Sequence, residues 1–436
     1  MKLAYFSPLN PVKSGISDFS ETLLAHLSRW MEITVFSAQA KQGKIENDWL
    51  GQHITIKQIQ DYDSGQERNT YDAAVFHMGN NYAVHREISD TFFKYGGILE
   101  LHDLALHHFV AAETIDKENY SRYQEIMRYC HGTMGQKAAE LFLGGRIAAP
   151  WEKDSMQYTV NKHYIDRAQA VIVHSDFARQ MVKGANPKAV VIHIPHGAQI
   201  AADPKKEKQD SRKRLGMDQE ELILGTFGYI WENKRIASIL KALKIFKQRH
   251  KEKKFHFYIV GEVHIPDLKE QICELELNDQ VTVTGFVSLK DLEDYIKACD
   301  IALNLRYPTQ GESSGTLCRL LGMGKIVMVT DIGSFREYPD DVVRRICYDS
   351  HEVDDIAACL EDLTADSKSL EQEAEKVLSY MKNYSWEENA KRYASFFRDM
   401  QQGTFYDESI ERILDKIFEL KLLDNKYISH FSKKLL

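Results

Sequence analysis

Residues 306–337, RYPTQGESSGTLCRLLGMGKIVMVTDIGSFRE, concentrate groups suited to holding an anion. The segment reads as a strand end, a Gly/Ser loop, a short helix, a glycine stop, a buried strand over 325–330 and an Asp-X-Gly turn. Residues 312–316 then open a helix, where unpaired backbone N–H groups and the helix dipole favour a phosphate. Glu312, Ser313, Ser314, Gly315 and Thr316 lie in that opening, and Arg306 and Arg319 flank it with positive charge. An ordinary strand–helix turn capped by serine would use the same residues, so its company in the chain decides. A second candidate is LGTFGYIWENKRIASILKAL at 224–243, a strand, a turn at Gly228, then a helix opened by Lys234 and Arg235. Cations at a helix start oppose the dipole, and a bound anion would remove that conflict.

The first half of the chain offers donors, acceptors and a proton carrier. Gly15 lies in a loop between a buried strand and a helix, with Ser17 and Asp18 as plausible caps. A small residue there lets backbone approach a ligand at the sheet's carboxyl edge. Asn80 and Asn81 follow a strand in FHMGNNYAVH. Their amides suit sugar hydroxyls, and they equally suit a turn in left-handed geometry. ILELHDLALHH ends a strand in His102-Asp103, an imidazole beside a carboxylate, suited to hydrogen bonding or proton handling. A histidine that merely caps the strand end is the competing account. His102, Asp103, His107 and His108 lack the H-E-x-x-H spacing of a zinc site, so no metal is expected.

The elements that must position these groups alternate along the chain. Apolar runs at 3–7, 33–37, 73–78, 98–102, 170–174 and 190–195 are separated by helical patterns such as 19–30, FSETLLAHLSRW. Continuous rather than alternating apolar strands imply a parallel sheet covered on both faces. Residues 201–214, AADPKKEKQDSRKR, show no buried period and read as part of a linker over 201–218. The alternation restarts at 222–227, 255–260, 281–285, 301–305 and 326–330. The expected class is therefore α/β, with two doubly wound, Rossmann-like parallel-sheet domains at 1–200 and 219–384 and a ligand site in the cleft between them. Residues 385–436 follow as crossover helices packing back on the first domain, with helical patterns at 386–401 and 408–422. The second of these is amphipathic, and packing on the protein's own surface competes there with peripheral membrane contact.

A chain of 436 residues exceeds what one core usually organises, which agrees with two domains. A net charge of −8 argues against a general nucleic-acid binder, so counter-charges for an anionic ligand must be local. The cysteines are scattered, without a C-x-x-C pair, as expected of reduced thiols. The opening residues MKLAYFSPLNP lack a signal peptide's apolar stretch, and no run approaches the roughly 18 apolar residues of a membrane span. A cytoplasmic protein is expected, at most touching the inner face of the membrane.

Together these segments resemble the retaining glycosyltransferases of GT-B fold, of the large GT4-like group. The resemblance runs from the Ser14-Gly15 loop and His102-Asp103 through VIHIPHG at 191–197 to Gly228, Lys234 and Arg235. It continues through VTVTGFV at 281–287, the Gly/Ser segment at 311–316, and Tyr384-Ser385-Trp386. It implies that the second domain binds a nucleoside-diphosphate sugar and that the first, through residues such as Asn80, Asn81 and Asp103, supplies the pocket for a sugar, glycan or lipid-linked acceptor. Lys234 would meet the diphosphate, and Gly285, Phe286 and Val287 would hold the base. Ser314, Gly315 and Thr316 would give N–H groups to the departing phosphate, and His102 would contact the donor sugar. Two departures stand out. Tyr229 occupies the position of the family's turn arginine, leaving Arg235 as the nearest charge. Gly311 and Arg319 stand where relatives carry a pair of glutamates; Glu312, one place along, replaces the first, and no acid replaces the second.

The expected reaction is hexose transfer to a sugar or glycan hydroxyl with retention of anomeric configuration, in polysaccharide or glycoconjugate synthesis. Lys234, Arg235, Arg319 and the helix start at Ser314 would stabilise the leaving diphosphate without a metal or other cofactor. His102, Lys234 and Glu312 are the expected catalytic residues. The missing second acid also fits a non-catalytic GT-B partner or glycan-binding protein. A sugar-nucleotide epimerase fits the motifs less well, and an NAD enzyme is disfavoured because neither half shows G-x-G-x-x-G with an acid for the ribose.

Overall fold

The computed structural model describes residues 1–42, 47–365 and 367–405. The chain divides into two compact units, one of Met1–Glu152, Gln157–Pro195 and Glu387–Leu436, the other of Lys153–Met156 and His196–Trp386. In the first, strands β1 (Lys2–Phe6), β2 (Glu32–Phe36), β3 (Thr55–Lys57), β4 (Ala73–Met78), β5 (Ile98–Leu101), β6 (Ala170–Val173) and β7 (Val191–His193) form a parallel sheet in the order β3-β2-β1-β4-β5-β6-β7. β5 and β6 are buried along their whole length, as a sheet covered on both faces requires. β1 pairs with both β2 and β4. The strand order therefore reverses beside β1, where open α/β sheets bind ligands at their carboxyl ends.

The second unit repeats the scheme. β8 (Leu222–Phe227), β9 (Phe255–Val260), β10 (Val281–Gly285), β11 (Ile301–Asn304), β12 (Ile326–Thr330) and β13 (Val343–Ile346) run in the order β10-β9-β8-β11-β12-β13. Here the order reverses between β8 and β11. Its core joins Leu224, Phe257, Ile259, Leu303 and Met328 to Ile239, Leu240 and Leu243 of the helix Ile236–Arg249. The short strands β3 and β13 lie outside the apolar runs read from sequence. Both are sheet edges, and their sequences TIK and VRRI carry polar side chains that edges tolerate.

One expectation fails. The segment 201–218, read as a linker, holds the helix Pro204–Leu215, capped by Asp203 and ended at Gly216. It shows no apolar period because ionic contacts fasten it. Arg212 is buried, donates to Ala298 O at 3.0 Å and Gln219 O at 2.6 Å, and pairs with Asp300 at 2.6 Å. Arg214 Nε reaches Asp294 at 3.0 Å, on the helix Leu289–Ala298.

The helix Trp386–Gln402 buries Ala390, Tyr393, Phe396 and Phe397. The helical pattern read at 408–422 lies outside the described residues. Among the described residues no helix is long and apolar enough to cross a membrane.

Candidate functional site

In the second unit the chain leaves β8 at Phe227 and turns at Gly228, whose φ is +94°. The Gly228 N–H donates to Val260 O at 2.9 Å. Gly261 packs against this turn so closely that a Cβ on it would stand 1.9 Å from Gly228 O. A Cβ on Gly228 would stand 3.5 Å from Thr316 Oγ1. The turn after β8 thus faces the start of the helix Gly315–Gly322, which follows β11. Ser314 caps that helix, its hydroxyl accepting from the Leu317 N–H at 3.2 Å.

Three charged side chains line the same switch point. Lys234 is 3% exposed and donates to Phe227 O at 3.0 Å. Burial, helped by Arg306, pushes its ammonium well below the usual lysine range, against the opposing pull of Glu312. Arg306 Nη1 pairs with Glu312 Oε1. Glu312 Oε2 accepts from Thr309 Oγ1 at 2.9 Å and the Gln310 N–H at 2.7 Å. Burial alone would raise the Glu312 carboxyl, but Arg306 and these donors hold it below the usual carboxylate range. Among the described residues Thr226 Oγ1, Asn304 Oδ1 and Arg306 Nε are buried without a hydrogen-bond partner. All three lie at the carboxyl ends of β8 and β11, and a polar ligand would satisfy them.

Arg235 turns elsewhere. Lys234 closes a short 3₁₀ turn, Glu232–Lys234, and Arg235 takes a left-handed conformation, φ +60°, before the helix Ile236–Arg249. Its guanidinium bonds Glu352 through Nε at 3.0 Å and lies 4.7 Å from the centre of the Tyr348 ring. Its charge is compensated within the unit by a carboxylate that the sequence reading did not consider. Glu312 is likewise held on all sides by loop donors, as a clasp of its own segment. Gly285, φ +71°, accepts from the Gly261 N–H at 3.0 Å. After it Phe286 is 61% exposed, and Val287 packs on the core. Arg319 lies on the helix Gly315–Gly322 and Ser313 just before its cap. His196, not singled out by the sequence reading, lies at the helix start: a Cβ on Gly315 would come within 3.2 Å of its Nε2.

In the first unit His102 heads a cluster of buried polar groups. His77 on β4 pairs in register with Glu100 on β5. Strand periodicity puts Glu100 and His102 on one face. His77 Nε2 lies 3.4 Å from Glu100 Oε2, and His77 Nδ1 lies 3.0 Å from His102 Nε2. Glu100 Oε1 accepts from Tyr393 Oη at 2.7 Å and lies 3.4 Å from His174 Nε2. Glu100 and His77 are wholly buried. Burial acts to raise the Glu100 carboxyl, yet its histidine and tyrosine neighbours bring it below the ordinary value. Burial lowers His77 to about 4, so the ring is neutral at pH 7 beside a carboxylate. Ligand atoms of His77, Glu100 and His102 lie within 4.8 Å of one another, close enough to hold a metal ion.

Asp103 accepts from the Asn80 N–H at 2.8 Å. The Asn80 amide accepts from the Phe109 N–H at 3.0 Å and meets His108 Nδ1 at 2.9 Å. Asn81 precedes the helix Tyr82–Tyr95 as its cap without a side-chain bond. Gly15 opens the helix Gly15–Leu27 after Ser14, and a Cβ there would meet nothing within 4 Å.

Comparison with known proteins puts a family beside this geometry. Residues 207–385 match the family Glycosyl transferases group 1. The chain is 27% identical over 159 residues to alpha-monoglucosyldiacylglycerol synthase of Streptococcus pneumoniae, 35% of each protein. It is 24% identical over 233 residues to alpha-D-kanosaminyltransferase of Streptomyces kanamyceticus, 51% of this chain and 58% of that one. The chain thus spans between a third and three fifths of the curated relatives it matches. The Anabaena protein HepE, solved in complex with UDP and glucose, superposes with a TM-score of 0.62 at 14% identity, over 92% of this chain and all of that one. The fold is GT-B.

Within the group 1 match, Gly228, Lys234, Arg306, Glu312 and the 314–316 helix start come together at one switch point, as their order after β8 and β11 implies. Of the first-unit residues singled out from sequence, His102 joins that unit's own buried histidine–carboxylate cluster. Sequence reasoning missed His77, His174 and Tyr393, which nothing local marks. Glu100 did carry a signal: it is a lone charge inside an otherwise apolar buried strand, ILEL.

Proposed function

We propose that this protein transfers a hexose from a nucleoside-diphosphate sugar to a hydroxyl of a sugar, glycan or lipid-linked acceptor, with retention of configuration. The observation that carries this reading is the convergence of the Gly228 turn, buried Lys234 and the Ser314-capped helix start on the β8/β11 switch point. Lys234 and Arg306 stand there beside the single carboxylate of Glu312, and an anion would favour the Lys234 ammonium that burial disfavours. Lys234 would bind the diphosphate, helped by the N–H groups of 315 and 316 and by His196. Arg306 and Glu312 would hold the loop in shape, and residues 285–287 would face the base. His102 would contact the donor sugar, and Asn80, Asn81 and Asp103 would shape the acceptor pocket. Gly15 would leave backbone room for the donor.

The leaving diphosphate oxygen would take the acceptor proton in a front-face displacement, so no enzymic nucleophile and no metal are needed. A thermal-shift panel of UDP, GDP, ADP, CDP and dTDP sugars tests the donor class, because a tight ligand stabilises by mass action. One donor should raise the melting temperature, and its transfer product should keep the donor's anomeric configuration in EDTA. If no nucleotide shifts the melt and no nucleotide is released, the non-catalytic reading, which the absent second acid favours, replaces this one.

A further inference from the structure

We propose that Glu100 and His77 are positioning residues that fix His102 in the Nε2–H tautomer, through a chain running Glu100–His77–His102. The inference rests on the reading that His102 serves the donor sugar, and it adds two residues that the sequence did not connect with it.

The tautomers follow from what each atom can do. A carboxylate only accepts. Glu100 Oε2 faces His77 Nε2 at 3.4 Å as an ionic contact, and neither atom has a hydrogen-bond partner among the described residues, so a bare Nε2 lone pair would stand against a carboxylate oxygen. The proton of neutral His77 therefore sits on Nε2, towards Glu100. Its Nδ1 is then an acceptor, and His102 Nε2, 3.0 Å away, must be the donor. That leaves Nδ1 as the acceptor atom of the His102 ring.

The surroundings lock the arrangement. Glu100 is centred between β4 and β6, and its second oxygen is taken by Tyr393 Oη at 2.7 Å. His174 stands 3.4 Å from that oxygen and is fastened through Nδ1 to Ile194 O at 3.0 Å. Phe19 abuts the His102 ring edge-on, with centres 4.9 Å apart, and Tyr5 lies 4.3 Å from the His77 ring. A buried carboxylate is costly unless held by donors, and here the donors are what orient the imidazoles. Removing the acceptor behind a working imidazole frees its tautomer and its ring angle. Losses of about 10- to 100-fold are typical when such supporting groups are removed from metal-bound histidines.

The test has two arms. In protein labelled with 15N-histidine, with His102 assigned by comparison with His102→Gln, long-range NMR should show the Nε2–H form. His77→Leu, which removes the acceptor, should yield a mixture, and His77→Asn, whose amide oxygen can take the place of Nδ1, should restore it. In transfer from the donor the thermal-shift panel identifies, His77→Leu should lower kcat about 10- to 100-fold while donor KM moves less than about 3-fold. His77→Asn should recover most of that loss, and Glu100→Gln, if its melting shows a folded protein, should match His77→Leu. An Nδ1–H tautomer in the wild type, or a tautomer unmoved by His77→Leu, overturns the proposal. So does an Asn variant as slow as the Leu variant. Stoichiometric metal in the purified protein that disappears in His77→Leu would also overturn it, making the three residues ligands. If the NMR arm holds but His102→Ala transfers at full rate, the tautomer chain stands and the role given to His102 falls.

Discussion

The charged corner of the second unit is assembled from one short stretch, whereas the polar cluster of the first converges from across the whole unit. Arg306, Thr309, Gln310 and Glu312 pair within a single loop between β11 and the helix Gly315–Gly322. Lys234 comes from another crossover, the one after β8. His77, Glu100, His102, His174 and Tyr393 arrive instead from β4, β5, the loops after β5 and β6, and the helix Trp386–Gln402. The difference follows from what each is suited to hold. A phosphate is gripped by backbone N–H groups and a few cations, which a Gly/Ser loop supplies locally. A buried carboxylate needs donors from several directions, which one segment cannot supply.

If the loop of the second unit is closed by its local ion pair, Arg306→Ala should cost the most, about 3–5 kcal/mol, by leaving the largely buried Glu312 without its cation and held by Thr309 and Gln310 alone. Denaturant unfolding measures it, and a loss under about 1 kcal/mol would show the loop to be held by its backbone alone. The same pair sets a pH dependence. Because the folded Glu312 carboxyl lies below its ordinary value, its contribution is present above the unfolded value and fades as pH falls through the folded one. Wild type should therefore lose more stability than a folded Arg306→Ala variant on acidification below about pH 4.

Lys234→Ala should cost about 2.7–4 kcal/mol of barrier, roughly 10²- to 10³-fold in turnover at saturating donor, with little change in melting. Full turnover would remove the phosphate assignment and, with it, the functional half of the comparison. Nucleoside-diphosphate binding should also take up protons, because an anion beside Lys234 restores the ammonium that burial disfavours. Binding should then tighten as pH falls towards neutrality, and calorimetry in buffers of different ionisation enthalpy reads the uptake directly.

The long-range cluster should be sensitive at its most distant member. Tyr393→Phe removes the donor to Glu100 Oε1 and should destabilise by about 1–3 kcal/mol, although Tyr393 lies far from Glu100 in sequence. A neutral outcome would mean that the histidines alone hold the carboxylate. Ser314→Ala should have the smallest effect, about 1 kcal/mol of stability through the lost cap. Thermal melting resolves the ordering of the two.

Much of the second unit's corner was legible because its residues are neighbours in sequence. A Gly/Ser helix start after a buried strand has few physical uses, and Lys234 follows a glycine turn at the matching place after β8. Arg235 was not legible in the same way. Its partner Glu352 lies across the unit, and only packing decides that the guanidinium bonds a carboxylate. The polar stretch 201–218 misled for a related reason: its helix is fastened by Arg212 and Arg214, which carry no apolar period.

By itself the sequence determined the alternation of buried strands and helices, hence two parallel sheets, and the position of the phosphate-suited helix start. These depend on local periodicity and on the backbone chemistry of glycine and serine, which neighbours in the chain express without help. Tertiary structure alone decided the charge partners. Register set His77 beside Glu100, the helix after residue 386 brought Tyr393 to the same carboxylate, and folding turned Arg235 to Glu352. Burial makes an uncompensated charge expensive, so each such group takes the partner the fold brings within reach, and that partner is often remote in the chain.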